Sequence, residues 1–378
     1  MQFFSFICFL LFASFSFVFP IIIFNKLLLL VMIVLLLFAM LYNFHDGFKI
    51  RTFSPFIVFF IFLYSFVISF GFEVKEALRI QLFLSTIILF LIYFIDVFRV
   101  DMDKVALIAG GVLCIGTIFL MFSILYNVNA VSVFFKNYGG GSRGVRDVGN
   151  GVQDFFRLGG VTFLFVSISI VLKKLFLKVS LVNFILLVLF LFTVVLSSAR
   201  SLLVGVFLIL VFLTLKKMKP MTLLIVLCSS IFCFVFVAFF TDFSIAMFSR
   251  SDEGTSHKIK HALSFIDWTN NYNLLFGEGL ASLYFSMASN VFTPQTEITL
   301  LDNIRYFGIV LTIVFYLALL FPSFSIAPWK VDNGFPLVVM LIYILMSLTN
   351  PMLVNSVGFI VVLWYWSEIL NYKDKKAI

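Results

Sequence analysis

The residues able to do chemistry in this sequence are a few arginines beside small residues, one glutamate ahead of an apolar run, and two histidines. Arg143 and Arg146 lie in Gly139-Gly140-Gly141-Ser142-Arg143-Gly144-Val145-Arg146-Asp147, and Arg157 follows at the start of the next apolar run. Glycines beside arginines can wrap an anion with backbone N–H groups and guanidinium forks. A flexible, solvated connector is the equally open reading. No Gly-Lys-Ser/Thr accompanies them, so this is not a nucleotide P-loop. Arg200 sits in Ser197-Ser198-Ala199-Arg200-Ser201, a tight turn between two apolar runs. The following run, 201–215, spans ~22 Å at helical rise, short of a hydrocarbon core of about 30 Å. The turn therefore lies at or just below the membrane interface. An arginine at that depth needs a partner, such as the phosphates of a lipid headgroup or of a substrate. The plainer alternative is snorkelling to ordinary phospholipid.

The densest polar cluster follows: Asp242, Arg250, Asp252, Glu253, His257, Lys258, Lys260, His261 and Asp267. From Thr255 to Trp268, the residues Ile259, Ala262, Leu263, Phe265 and Ile266 recur at helical spacing, which predicts an amphipathic helix on the membrane surface. His257 and His261 are four apart on one face. That spacing can hold zinc, but no glutamate follows the first histidine and no third ligand is evident, so two solvated histidines are expected. Leu274-Leu275-Phe276-Gly277-Glu278-Gly279-Leu280 reads as a turn, and Glu297 and Arg305 stand where the next helix enters the membrane. A carboxylate there either faces the helix dipole or serves as a general base near the bilayer surface.

The elements that must position these groups are membrane helices. The chain has 378 residues, 63% hydrophobic and 12% charged, with 55 phenylalanines, and its mean hydropathy is +1.17. A soluble domain of this length needs more polar surface. The net charge of +8 forms no basic stripe interleaved with aromatics, which argues against nucleic acid. Apolar spans are expected near 3–24, 27–42, 55–72, 80–98, 105–126, 157–172, 180–197, 201–215, 221–240, 298–321, 335–349 and 351–369. With the N-terminus inside, inner breaks hold 14 Lys and Arg, from Lys49/Arg51 to Lys373/Lys375/Lys376, and short outer breaks hold 4 (Lys26, Lys75, Arg79, Arg200). Both long loops, 127–156 and 241–296, then lie outside. Residues 1–378 are read as one integral membrane domain, an all-α polytopic bundle of about 12 helices with both termini inside. The first span lacks a basic n-region and a small-residue cleavage site, so it is read as a membrane helix. Cys8, Cys114, Cys228 and Cys233 lie inside apolar runs without metal-ligand spacing and are expected to be reduced thiols.

The Ser-Ala-Arg turn, an outer loop carrying Arg250, the Leu-Phe-Gly-x-Gly turn at 275–279, and Glu297 ahead of Tyr306-Phe307-Gly308-Ile309 together resemble the O-antigen polymerase and ligase superfamily. The stretch that carries the likeness runs from about Phe192 to Leu320. The resemblance implies a C-type glycosyltransferase-like bundle in the bacterial inner membrane, with two large periplasmic loops. Ligases of this superfamily typically have His-Asn where this sequence has Glu297-Ile298, which favours a polymerase of the Wzy type. It implies metal-independent, inverting transfer of a growing glycan from undecaprenyl pyrophosphate to the non-reducing end of a new lipid-linked repeat, with no cofactor. Glu297 would be the base and Arg200 the stabiliser of the leaving pyrophosphate. Arg250, Arg305, Arg143, Arg146, Arg157, His257 and His261 would bind substrate. Partners would be the lipid-linked donor and acceptor, membrane lipids, a chain-length regulator and a flippase. The Ser-Ala-Arg-Ser turn departs from the superfamily's usual Ser-Arg-Gly-like form, and the first-loop arginines match no fixed pattern. The rival readings are a ligase that hands the glycan to lipid A core and a lipid-linked-sugar flippase. Against the flippase, the spans carry almost no charge at mid-depth and no internal symmetry.

Overall fold

A computed structural model describes residues 2–20, 23–42, 51–126, 128, 133–135, 137, 142–147, 152–197, 199–217, 253–271, 274–296, 298–348 and 352–377. It is mostly helical. In chain order the helices and strands are α1 (Gln2–Val18), α2 (Ile23–Tyr42), α3 (Ser54–Ile68), α4 (Glu76–Ser85), α5 (Leu91–Phe98), α6 (Met102–Leu125), β1 (Ser142–Asp147), β2 (Val152–Arg157), α7 (Leu164–Leu177), α8 (Leu181–Leu196), α9 (Arg200–Lys217), α10 (Glu253–Asn271), β3 (Tyr284–Ser286), β4 (Val291–Thr293), α11 (Thr299–Leu320), α12 (Phe335–Ser347) and α13 (Ser356–Ala377). Among the described residues, six helical stretches are long and apolar enough to cross a membrane: Phe24–Leu41, Ser54–Gly71, Glu76–Phe98, Met102–Leu125, Thr299–Leu320 and Pro328–Ser347. The helices Gln2–Val18, Leu181–Leu196 and Arg200–Leu215 are apolar but shorter. The expected span at 221–240 lies outside the described residues.

The fold is not purely α-helical. Each long loop contributes an antiparallel hairpin, Ser142–Asp147 with Val152–Arg157 and Tyr284–Ser286 with Val291–Thr293. Strands β3 and β4, three residues each, are too short to show a period, and Ser-Arg-Gly-Val-Arg-Asp of β1 carries no apolar alternation.

Two compact units divide the chain, one comprising Met1–Ala13, Ile23–Val105 and His257–Ile378, the other Ser14–Ile22 and Ala106–Ser256. In the second unit α7 is the buried helix, with every residue from Leu164 to Leu172 enclosed. It packs against α8 and α9. Gly110 of α6 admits Ser167 of α7 at close range, and Ser167 Oγ donates to the Ala106 carbonyl at 2.8 Å. Small residues allow such close backbone approach, which is how helices gain packing energy where lipid is the solvent.

The first unit has its core where α3, α11, α12 and α13 meet, filled by Phe62, Phe307, Phe315, Tyr343 and the Trp364–Trp366 segment. The buried ring N–H and O–H groups are matched. Trp366 Nε1 and Tyr365 Oη donate to the carbonyls of Leu319 and Leu320 at 2.8 and 2.7 Å, and Trp364 Nε1 to Asp103 at 2.9 Å. The breaks between spans collect at two ends. At one end Thr52 donates to the Pro322 carbonyl, Tyr93 donates to the Thr52 carbonyl, and Arg51 pairs with Asp96 at 3.3 Å. At the other, Val74 bridges Ser282, Lys75 N donates to the Ala281 carbonyl, and Leu283 N donates to the Glu73 carbonyl.

Candidate functional site

The site grows from a break in α11. Gly308 has φ 77° and ψ 166°, so the helix loses its regular bonding in the middle of an apolar span. Carbonyl and N–H groups freed there must find partners, because lipid offers none. The Leu274–Gly279 turn supplies them. Glu278 N donates to the Arg305 carbonyl at 2.7 Å, Gly279 N to the Tyr306 carbonyl at 3.2 Å, and Ile309 N to the Leu274 carbonyl at 2.8 Å. Ser65 Oγ of α3 also reaches the Tyr306 carbonyl, at 2.7 Å. A side chain on Gly277 would stand 2.6 Å from Gly308 N, and one on Gly308 would run into the Leu275 carbonyl. The two glycine motifs at 277–279 and 308 are thus the two halves of one backbone clasp.

The clasp sets a buried polar cluster at the head of α11. Arg305 is fully buried. Its guanidinium donates to Asp302 at 3.3 Å, to the Ser282 carbonyl, to Ser282 Oγ at 3.3 Å and to the Pro294 carbonyl at 3.4 Å. The Tyr284 ring lies 4.0 Å from its carbon, a cation–π contact. Asp302 in turn accepts from Thr296 N at 2.8 Å. Arg305 was expected to bind substrate; in the structure its hydrogen bonds hold the loop around 282–296 onto α11.

His261 belongs to the same cluster and is buried rather than solvated. Its Nδ1 shares hydrogen bonds with Tyr284 Oη at 2.6 Å and Ser286 Oγ at 3.2 Å, because the β3–β4 hairpin covers it. The amphipathic helix forms as α10, with His261, Ser264 and Trp268 turned inward and Ile259, Leu263 and Ile266 left exposed. Burial pushes the Tyr284 phenol up to about 12, eased by the positive charge of Arg305. Burial likewise raises the Glu278 carboxyl, against hydrogen bonds from Trp268 and Ser282 and the charge of Arg305. One Glu278 oxygen, Oε2, is buried with no hydrogen-bond partner among the described residues.

Beside the cluster opens a cleft of about 300 Å³. Its polar lining comes from Gln81 of α4, Gln295, Thr299, Asp302, Asn303 and Tyr306 around the head of α11, and Asn355 just before α13; Leu78, Leu82 and Val354 complete it. All of these segments lie at the end where Val74 meets Ser282. Asn303 donates to Tyr316 Oη at 3.2 Å, and Asn355 accepts from Gly358 N at 2.8 Å, capping α13. The side-chain amides of Gln81 and Gln295 make no hydrogen bond among the described residues. Among the described residues, none that lines the cleft is cationic.

Of the other residues singled out in the sequence, Arg200 is the half-buried first residue of α9, and Arg157, also half-buried, ends β2. Arg143 and Arg146 lie on β1, in register with Phe156 and Gln153. His257 lies on α10. Arg250 and Glu297 lie outside the described residues, although Thr296 and Ile298, on either side of Glu297, belong to the rim of the buried cluster. Sequence reasoning missed Asp302, Tyr284, Gln81, Gln295 and Asn355. Only Asp302 had a local signal, its i,i+3 spacing from Arg305 on a helix. Comparison of the chain with protein-family models, with curated proteins and with solved structures finds no match.

Proposed function

We propose that the protein polymerises lipid-linked oligosaccharide repeat units of the O-antigen kind at the periplasmic face of a bacterial inner membrane. The observation that carries this reading is the cleft of amides, hydroxyls and one carboxylate at the head of α11, whose lining includes Gln295 and Thr299, each two residues from Glu297 in the sequence. Amides and carboxylates are the groups that hydrogen-bond sugar hydroxyls. The glycine clasp supports the same reading, since it gives the two resembling motifs a shared structural reason to occur together. Twelve spans with both termini in the cytoplasm complete the proposal, following the excess of Lys and Arg in one set of breaks.

In the proposed reaction a hydroxyl oxygen of the acceptor repeat attacks the anomeric carbon of the donor glycan. The bond from that carbon to the pyrophosphate oxygen breaks, and the configuration inverts. Glu297 takes the hydroxyl proton, and undecaprenyl pyrophosphate leaves. Arg200 and Arg250 stabilise its charge; an arginine fork grips phosphate oxygens in pairs and stays ionised. The arginines of the β1–β2 hairpin and His257 remain candidates for holding the rest of the glycan. Arg305 and His261 act from behind, by shaping the cleft wall.

The lipopolysaccharide banding of a deletion strain tests the proposal. Loss of a polymerase leaves core plus one repeat, loss of a ligase leaves bare core, and an unchanged ladder refutes both. Arg200→Ala and Glu297→Gln are each expected to give the single-repeat band at normal protein level. A wild-type ladder from Arg200→Ala would remove its pyrophosphate role, and one from Glu297→Gln would leave Glu297 a helix-capping residue.

A further inference from the structure

The geometry points to the cleft at the head of α11 as a subsite for an uncharged sugar ring, one that rejects acidic sugars and phosphate; this rests on the glycan-transfer reading above. A volume of about 300 Å³ is at the small end of ligand pockets, suited to a ring or two rather than to a whole repeat. Gln81 and Gln295 bring amides not committed to other groups among the described residues, each a donor and an acceptor in one plane. A sugar hydroxyl is likewise donor and acceptor at once. Asp302 adds a buried carboxylate that can accept from a hydroxyl or an ammonium group but from no anion. Leu78 and Leu82 form an apolar wall on which the C–H face of a ring can rest.

The discrimination comes from charge. An acidic sugar or a pyrophosphate in the cleft would face Asp302 with no cation among the described lining residues to compensate. Arg305, the cation that pairs with Asp302, is fully buried and also committed to two carbonyls. Phosphate recognition therefore belongs elsewhere on the chain, and this cleft reads the sugar.

The test uses the full chain in lipid nanodiscs and saturation-transfer NMR. The probes are methyl glycosides of neutral hexoses and N-acetylhexosamines, a methyl hexuronate, and inorganic pyrophosphate. At least one uncharged glycoside should show transfer. That signal should fall at least tenfold in Gln81→Leu/Gln295→Leu, whose changes sit on exposed or half-exposed positions, and persist in Arg200→Ala. Neither the hexuronate nor pyrophosphate should compete for it. The inference is overturned if no uncharged glycoside binds, if the double variant binds as well as wild type, or if the hexuronate competes equally. An unchanged lipopolysaccharide ladder on deletion, with glycoside binding intact and lost in the double variant, sinks the polymerase reading and leaves the subsite standing. A lost ladder on deletion, with the double variant normal in both assays, does the reverse.

Discussion

Arg305 shows how a residue that looks like a ligand-binding group can be spent on the fold. Its guanidinium joins Asp302 one helical turn away and Ser282 and Pro294 of the preceding loop, so the loop and the head of α11 converge on one charge. Removing it strands Asp302 in a buried site. Arg305→Met should therefore cost about 3–5 kcal/mol, and the double change with Asp302→Asn should recover part of the loss. Thermal unfolding of the detergent-solubilised protein reads both, and equal loss in single and double variants would contradict the pairing. Glu278 carries a pH dependence of its own. Because burial raises its carboxyl above the ordinary 4.5, the folded protein keeps a proton that the unfolded chain releases. The folded state then binds more protons above that pH, so stability falls as pH rises toward the raised value. Glu278→Gln should remove this slope in melting curves taken from about pH 4 to 8. Parallel curves for the two proteins would show that the carboxyl is not held neutral.

At the level of elements, the broken helix α11 is the device on which the site depends. A continuous helix would satisfy its own backbone and leave the Leu274–Gly279 turn nothing to bind. With Gly308 at φ 77°, Arg305 and Tyr306 offer their carbonyls outward, and the turn docks there. Gly308→Ala should be severe: the left-handed backbone strains any β-carbon by about 1–3 kcal/mol, and the Leu275 carbonyl occupies its place. Reduced protein level together with loss of glycoside binding is the expected result, read by immunoblot and NMR. A variant that folds and binds normally would mean the clasp tolerates repacking. The exposed Ile259, Leu263 and Ile266 of α10 fit the surface helix expected from the sequence, while its inward face carries His261, Ser264 and Trp268. The amphipathic pattern was legible because it repeats over several turns. The polar inward face was not, because a histidine that packs under a hairpin has the same local sequence as one in water.

For the whole molecule, the strongest regularity is the sorting of breaks between spans. Thr52, Tyr93 and Pro322 gather at one end of the first unit, and Val74, Ser282 and the cleft at the other. If the cleft end is periplasmic, Gln81→Cys in a cysteine-free background should react with a membrane-impermeant maleimide in intact cells. Lys330→Cys should react only after the membrane is opened, and the opposite pattern would invert the topology. Membrane residence, most helix positions and the bias of positive charge were readable from the sequence alone. They follow from lipid as solvent, which acts on each 20-residue stretch separately. The arginines, histidines and glutamate were visible too, as types able to do chemistry. Which of them are accessible was decided only by the tertiary structure. Arg305 and His261 are enclosed by a turn and a hairpin from other parts of the chain, and Gln81, Gln295 and Asn355, unremarkable in sequence, meet at one cleft. Burial and convergence are properties of distant segments packed together, so no local pattern of residues carries them.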